Sequence, residues 1–283
     1  MKKDQLLSRR RMLLAGAAAL GAAGAAGWAG LLLDDDPVRP ARGALGVSGP
    51  GARTRQKAST FRLRPMTGYG PARRTPARTA VRREPILRMA GRGRSMVLTF
   101  DDGPDRHYTP GILRTLREYD VRAMFFVCGE MAADHKDLLR EMADDGHIVG
   151  NHTWTHPLLT RLTRPEIRAE MERTCEIVQD AYGEAPLWFR APYGAWNRAT
   201  FELGAELGME PLAWTLDSGD WTTPPPDAKA IVEQVEGGAA PGVVVLSHDA
   251  GGDRSQTVAA LRDWLPFLLD AGYHLTVPRR RFG

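Results

Sequence analysis

From Met96 onward, short apolar runs alternate with helix-length amphipathic stretches. The runs Met96–Phe100, Ala123–Val127, His147–Gly150, Leu187–Phe189, Leu212–Leu216, Val243–Leu246 and His274–Val277 predict buried strands. Between them the periodicity predicts helices over 109–119, 134–145, 164–182, 197–207, 227–236 and 256–271. The third helix has the clearest ends. Thr163-Arg-Pro-Glu166 is a capping box with proline in the first turn, Ile167, Met171, Thr174, Cys175 and Val178 recur on one face, and Gly183 follows the last turn. Alternating strands and helices predict parallel strands joined by right-handed crossovers. Seven strands in about 190 residues predict an α/β fold, a short irregular (β/α) barrel of about seven parallel strands.

Upstream of this pattern neither period is present. Lys2, Lys3 and Arg9–Arg11 precede an uncharged Ala- and Gly-rich run from Met12 to Leu33, the layout of an export signal. Ser8-Arg9-Arg10-Arg11-Met12-Leu13-Leu14 resembles a twin-arginine signal. Residues 1–33 are therefore read as a twin-arginine-type signal or, if uncleaved, as a membrane anchor. Residues 37–94 hold 15 Lys and Arg, one acid (Glu84) and seven prolines, so 34–94 is read as a disordered basic linker. That leaves 95–283 as the folded domain. The expected location is outside the cytoplasm: extracellular, associated with the cell wall, or anchored in the membrane and facing outward.

The net charge of +4 conceals two opposite segments. Residues 1–94 carry 20 Lys and Arg against 5 acids, whereas 95–283 carry 18 against 29. The folded part is acidic, which excludes nucleic acid as its expected partner. A hydrophobic content of 43% excludes a wholly disordered chain. Two cysteines, Cys128 and Cys175, exclude a disulfide scaffold and a four-thiolate zinc site, and both are expected as free thiols.

Unusual polar clusters fall just after the strand runs: Asp101-Asp102, Asn151-His152, Arg190, Asp217 and His248. In parallel α/β folds these strand ends share one face, where active sites sit. His152-Thr-Trp-Thr-His156 places two imidazoles at i, i+4, one side of a helical turn, within reach of one metal. No Glu lies inside the repeat, so it is not a zincin motif. A third ligand would come from a carboxylate at another strand end, and Asp101-Asp102 offers two.

Thr99-Phe100-Asp101-Asp102-Gly103-Pro104, His152-Thr-Trp-Thr-His156, Arg190-Ala-Pro-Tyr193, Asp217-Ser-Gly-Asp-Trp221 and Leu246-Ser-His248 resemble, in order, the five motifs of the polysaccharide deacetylases, the NodB-homology domains of carbohydrate esterase family 4. The resemblance covers about 95–280. It implies that Asp102, His152 and His156 bind one divalent metal, zinc first, with Co2+ or another divalent ion as substitutes, leaving positions for water and the substrate carbonyl. It implies Asp101 as general base with Arg190 as its ion-pair partner, the Tyr193 backbone N–H at the oxyanion, and His248 as general acid. Asp220 would tune His248, with Arg122 completing that pair, and Trp221 and Leu246 would wall the acetyl-methyl pocket. Ala191 stands where many relatives have proline, with little consequence expected.

The function so implied is removal of N-acetyl groups from a GlcNAc-containing polysaccharide, peptidoglycan or chitin-like, by a monomer whose partner is that polymer. Competing readings are an ester deacetylase on acetylated xylan, a glycoside hydrolase using Asp101 and Asp217, and a non-catalytic sugar-binding module. The second leaves the three histidines without a task, and the third would be favoured only by a missing ligand or base.

Overall fold

The computed structural model describes residues 79–89 and 93–278. The signal or anchor reading of 1–33 and the linker up to residue 78 lie outside the described residues. No helix among the described residues is long and apolar enough to cross a membrane.

Eight strands follow in chain order: β1 (Ser95–Asp101), β2 (Met124–Val127), β3 (Ile148–Asn151), β4 (Trp188–Phe189), β5 (Glu210–Pro211), β6 (Leu216–Asp217), β7 (Val244–His248) and β8 (His274–Leu275). The intervening helices are α1 (Thr109–Glu118), α2 (Gly129–Asp134), α3 (Lys136–Asp144), α4 (Arg164–Tyr182), α5 (Arg198–Glu206), α6 (Ala228–Gly238) and α7 (Ser255–Asp270). All pairings between these strands are parallel, in the order β5-β4-β3-β2-β1-β7-β6, with β8 beside the start of β1. The result is the expected α/β fold, a curled half-barrel of seven parallel strands.

Strand alternation divides the core in two. On β1, Met96, Leu98 and Phe100 face the helices, and on β2 so do Phe125 and Val127. Val97, Met124 and Phe126 instead join Met89, Trp188, Leu212 and Val244 inside the curl. The same alternation puts Thr99 and Asp101 on the inner face above Val97. The barrel interior is thus apolar at the bottom and polar at the carboxyl ends of the strands.

Helix α4 keeps its expected ends: the Thr163 N–H and hydroxyl both donate to Glu166, and Gly183 closes it at φ 98. Three boundaries differ from the sequence reading. The predicted helix 134–145 is observed as α3, but a short helix that the sequence reading lacked, α2, precedes it, the two separated at His135, whose φ and ψ are −133° and 48°. The predicted strand Leu212–Leu216 resolves into β5 before it and β6 at its end, on opposite edges of the sheet. Residues 212–215 cross the open side, and the burial of Leu212 and Ala213 there mimics a strand in the sequence. Finally, part of the basic linker belongs to the fold. The Ile86 N–H donates to Pro211 O and the Ile86 carbonyl accepts from Ala213, while the Met89 N–H donates to Gly242 O. Ile86 pairs with Leu212 and Arg88 with Val243. Apolar side chains at 86 and 89, masked in the sequence by five flanking arginines and lysine-free proline-rich context, let this strap seal the gap between the sheet edges.

Candidate active site

Asp101 closes β1, His152 follows β3, Arg190 follows β4, Asp217 closes β6 and His248 closes β7, so all five clusters converge on one mouth. Arg190 points back into the curl and is fully buried. Its guanidinium donates to Asp101 Oδ1 at 2.7 Å, Thr99 Oγ1 at 2.7 Å, Leu212 O at 3.0 Å and Ala213 O at 2.9 Å, and it lies 4.1 Å over the Phe126 ring. Such a planar fork can orient a carboxylate as an ammonium cannot.

His152 and His156 do not lie on a helical turn. Thr153 and His156 have φ of 69° and 58°, and the segment is a loop with these two residues in the left-handed region. Asn151 Oδ1 accepts the Thr153 N–H at 2.9 Å, and the Asn151 amide donates to Met171 O at 2.8 Å. Glu170, on α4, accepts the N–H groups of Trp154 and Thr155, each at 2.8 Å. These side-chain acceptors replace the hydrogen bonds a helical turn would have supplied. The loop still delivers both imidazoles: His152 Nε2 lies 3.5 Å and His156 Nε2 3.3 Å from Asp102 Oδ1. His152 Nδ1 donates to the Arg190 carbonyl at 2.8 Å, which leaves its Nε2 lone pair facing the carboxylate. Asp102 itself has φ 76°. With Tyr193 at φ 61°, four of the five described non-glycine residues at positive φ belong to this mouth, where strained backbone is a recurrent feature of functional sites.

Asp102, His152 and His156 could hold a metal ion. Asp102 Oδ1 is buried and accepts no hydrogen bond, an arrangement that is unfavourable without a cation. The 3.3 and 3.5 Å separations match the edge of roughly 3.3 Å in a tetrahedral shell with bonds of ~2.0–2.1 Å. Burial takes His156 down to about 4 despite the pull of Asp102, so its imidazole is neutral and fit to ligate. Burial alone would raise Asp102, but the histidines around it hold it below the ordinary carboxylate range. One carboxylate with two imidazole nitrogens suits zinc or a similar divalent ion.

Across the mouth, Asp220 Oδ1 receives His248 Nδ1 at 2.7 Å, and Asp220 Oδ2 receives the His248 N–H at 2.8 Å and the Thr257 hydroxyl at 2.9 Å. Burial is the largest influence and opposes the imidazolium, yet Asp220 first, with Asp102 and Asp101 behind it, together lift His248 to about 9. The arginine beside this pair is Arg254, not Arg122. Arg254 donates to Asp220 O and Ala250 O, both at 2.7 Å. Arg122 borders a cavity of about 110 Å³ with Arg117, Asp145 and His147, before the amino ends of β2 and β3.

Tyr193 and Trp221 are exposed at the mouth, and Leu246 is buried within β7. Asp217 accepts the Trp221 indole at 3.0 Å and the Gly219 N–H at 2.8 Å, so it braces its own loop. Cys128 and Cys175 are free thiols, as expected. Ala191 is fully buried. Sequence reasoning missed Thr99, Arg254 and Asp249. Asp249 is buried against Gly103 and Thr109, and burial together with Asp102 and Asp101 lifts it to about 7. Its one available signal was an acid directly after His248 at a strand end.

The polysaccharide deacetylase family model matches residues 88–212. The chain is 39% identical over 193 residues to the chitooligosaccharide deacetylase of Rhizobium leguminosarum bv. trifolii, covering 64% of this chain and 89% of that protein. It is 34% identical over 199 residues to the peptidoglycan-N-acetylglucosamine deacetylase PgdA of Listeria monocytogenes, covering 70% of this chain and 41% of that protein. The family 4 carbohydrate esterase from Streptomyces lividans, solved in complex with acetate, superposes with a TM-score of 0.61 at 34% identity, covering 65% of this chain and 93% of that one. With the rhizobial relative matched over nearly its whole length, the chain belongs to the polysaccharide deacetylases, the family 4 carbohydrate esterases.

Proposed function

We propose that this protein is a metal-dependent hydrolase that removes N-acetyl groups from a GlcNAc-containing polysaccharide, a chitin-like chain or peptidoglycan. The observation that carries the reading is a single mouth holding three things at once: the Asp102, His152 and His156 ligand set, the Asp101–Arg190 pair, and the His248–Asp220 pair. The names of the relatives support the substrate class.

A divalent ion held by Asp102, His152 and His156, zinc by its donor set, would supply Lewis acidity to the acetamide carbonyl and the attacking water. Asp101 takes the proton from that water. Arg190 occupies its Oδ1, and its Oδ2 lies 3.7 Å from His152 Nε2, on the ligand side. The Tyr193 main-chain N–H is assigned to the developing oxyanion. His248 has Nδ1 committed to Asp220, so Nε2 gives its proton to the departing nitrogen as the C–N bond breaks, leaving acetate and a free amine. Trp221 and Leu246 are assigned to the wall around the acetyl methyl.

The test is acetate release from N-acetylated chitooligosaccharide and from peptidoglycan, with and without EDTA. Acetate that disappears on chelation supports the reading. New reducing ends without acetate, or full activity in EDTA, would overturn it.

The pH profile reports on His248 separately. An acid that must be protonated gives kcat/KM an alkaline limb, and Asp220 extends that limb upward by lifting His248 to about 9. Asp220→Asn removes the charge that opposes desolvation, so the alkaline limb is expected to move to lower pH while the acidic limb stays in place. An alkaline limb unmoved in this variant would mean that His248 is not the acid or that Asp220 does not tune it.

A further inference from the structure

We infer that Asp249 is a positioning residue: by accepting hydrogen bonds from Gly103 and Thr109 it holds the Asp101-Asp102-Gly103 turn against the end of β7, and so sets how Asp102 faces the two imidazoles. The inference rests on the reading of Asp102, His152 and His156 as metal ligands.

Asp249 is 1% exposed and directly follows His248. It holds the end of β1, the turn after it and the start of α1 at one point each. Its N–H donates to Asp101 O at 3.1 Å. Its Oδ1 accepts the Gly103 N–H at 3.1 Å, and its Oδ2 accepts the hydroxyl of Thr109, the first residue of α1, at 2.5 Å. Thr109 Oγ1 in turn accepts the Asp105 N–H at 2.8 Å. The loop from 103 to 109 is thereby closed around one carboxylate.

The fit is close. A β-carbon at Gly103 would stand 2.2 Å from Asp249 Oδ2, so glycine at 103 is the complement of Asp249. The far side of the turn is tied to the end of β2, where the Asp102 N–H donates to Phe126 O and the Cys128 N–H to Gly103 O. Asp249 supplies the opposing hold from β7. Between the two lies Asp102 at φ 76°, a conformation that persists only where its surroundings fix it. The same β7 end carries His248, so one residue registers the acid's strand against the strand that carries the base and the ligand.

The experiment compares Asp249→Asn, Asp249→Ala and Thr109→Val in the full chain, reading Co2+ affinity and the visible spectrum of the bound Co2+ without substrate. Asparagine keeps an oxygen for Gly103 and offers an amide that Thr109 Oγ1 can accept. Asp249→Asn is expected to bind Co2+ within about threefold of wild type with an unchanged spectrum. Asp249→Ala is expected to bind at least about tenfold more weakly, with an altered spectrum. Thr109→Val removes the donor to Asp249, together with the acceptor of the Asp105 N–H, without opening a cavity, and is expected to show a smaller loss in the same direction even if the alanine variant does not fold. Wild-type affinity and spectrum in Asp249→Ala, or an equal loss in the asparagine and alanine variants, would overturn the inference. Because substrate is absent, a wild type that binds Co2+ but releases no acetate fails the deacetylase reading and leaves this test intact.

Discussion

Asp101→Asn is expected to keep its metal and its fold while losing about two to four orders of magnitude in kcat, the usual contribution of a positioned acid or base. The amide has nearly the shape of the carboxylate, and its oxygen can still accept from Arg190 Nη1, which now donates to Asp101 Oδ1 at 2.7 Å. What it cannot do is take a proton from water. Some stability should also be lost, because Arg190 is fully buried and would have no counter-ion. Breaking such a pair outright costs about 3–5 kcal/mol, and the retained hydrogen bond keeps this variant below that figure. Measuring kcat beside bound metal and melting temperature separates the two effects. A near-normal kcat in a folded, metal-loaded protein would remove Asp101 from the base role.

Asp102→Ala should fail differently, losing metal and activity together. It deletes the buried oxygen that stands 3.3 and 3.5 Å from the two imidazole nitrogens. Two histidines alone make a weak site, and an affinity loss exceeding about 100-fold is expected, larger than typical outer-shell losses. Elemental analysis after dialysis is the direct check. Adjacent carboxylates with opposite outcomes, one keeping metal without turnover and one losing both, would assign the two roles in a way that neither variant does alone. Retained metal in Asp102→Ala would remove that residue from the ligand set.

Much of this arrangement can be read from the chain because strand ends are local features. An apolar run stops, a polar cluster follows, and in a parallel sheet every such cluster shares one face. That logic places Asp101, Asp102, His152, Arg190 and His248 correctly, and the capping box and glycine stop place α4 to the residue. The failures are those in which distant groups decide a local shape. The His152–His156 segment is a loop rather than a helical turn because Glu170 and Asn151 satisfy its N–H groups, which spacing alone does not reveal. Residues 212–215 look like one strand because Leu212 and Ala213 are buried, although their main chain bonds Phe189 and the distant Ile86 rather than extending a single strand to β6. Arg254 stands beside Asp220 through main-chain carbonyls that leave no trace in sequence. Asp249 has a signal only in its adjacency to His248.

The strap at 86–89 determines where the catalyst begins. A fragment starting at residue 95, the boundary suggested by periodicity, would lack the Ile86 main chain that bonds Pro211 and Ala213. Leu212 and Ala213 supply two of the carbonyls that seat Arg190, and Arg190 seats Asp101. Trimming the polypeptide before Met96 is therefore expected to remove support from Asp101, three contacts away, and to wet Trp188 and Val244. Cleavage there is expected to lower activity without touching a single motif residue, and a fragment meant to keep Arg190 seated has to include Ile86 and Met89.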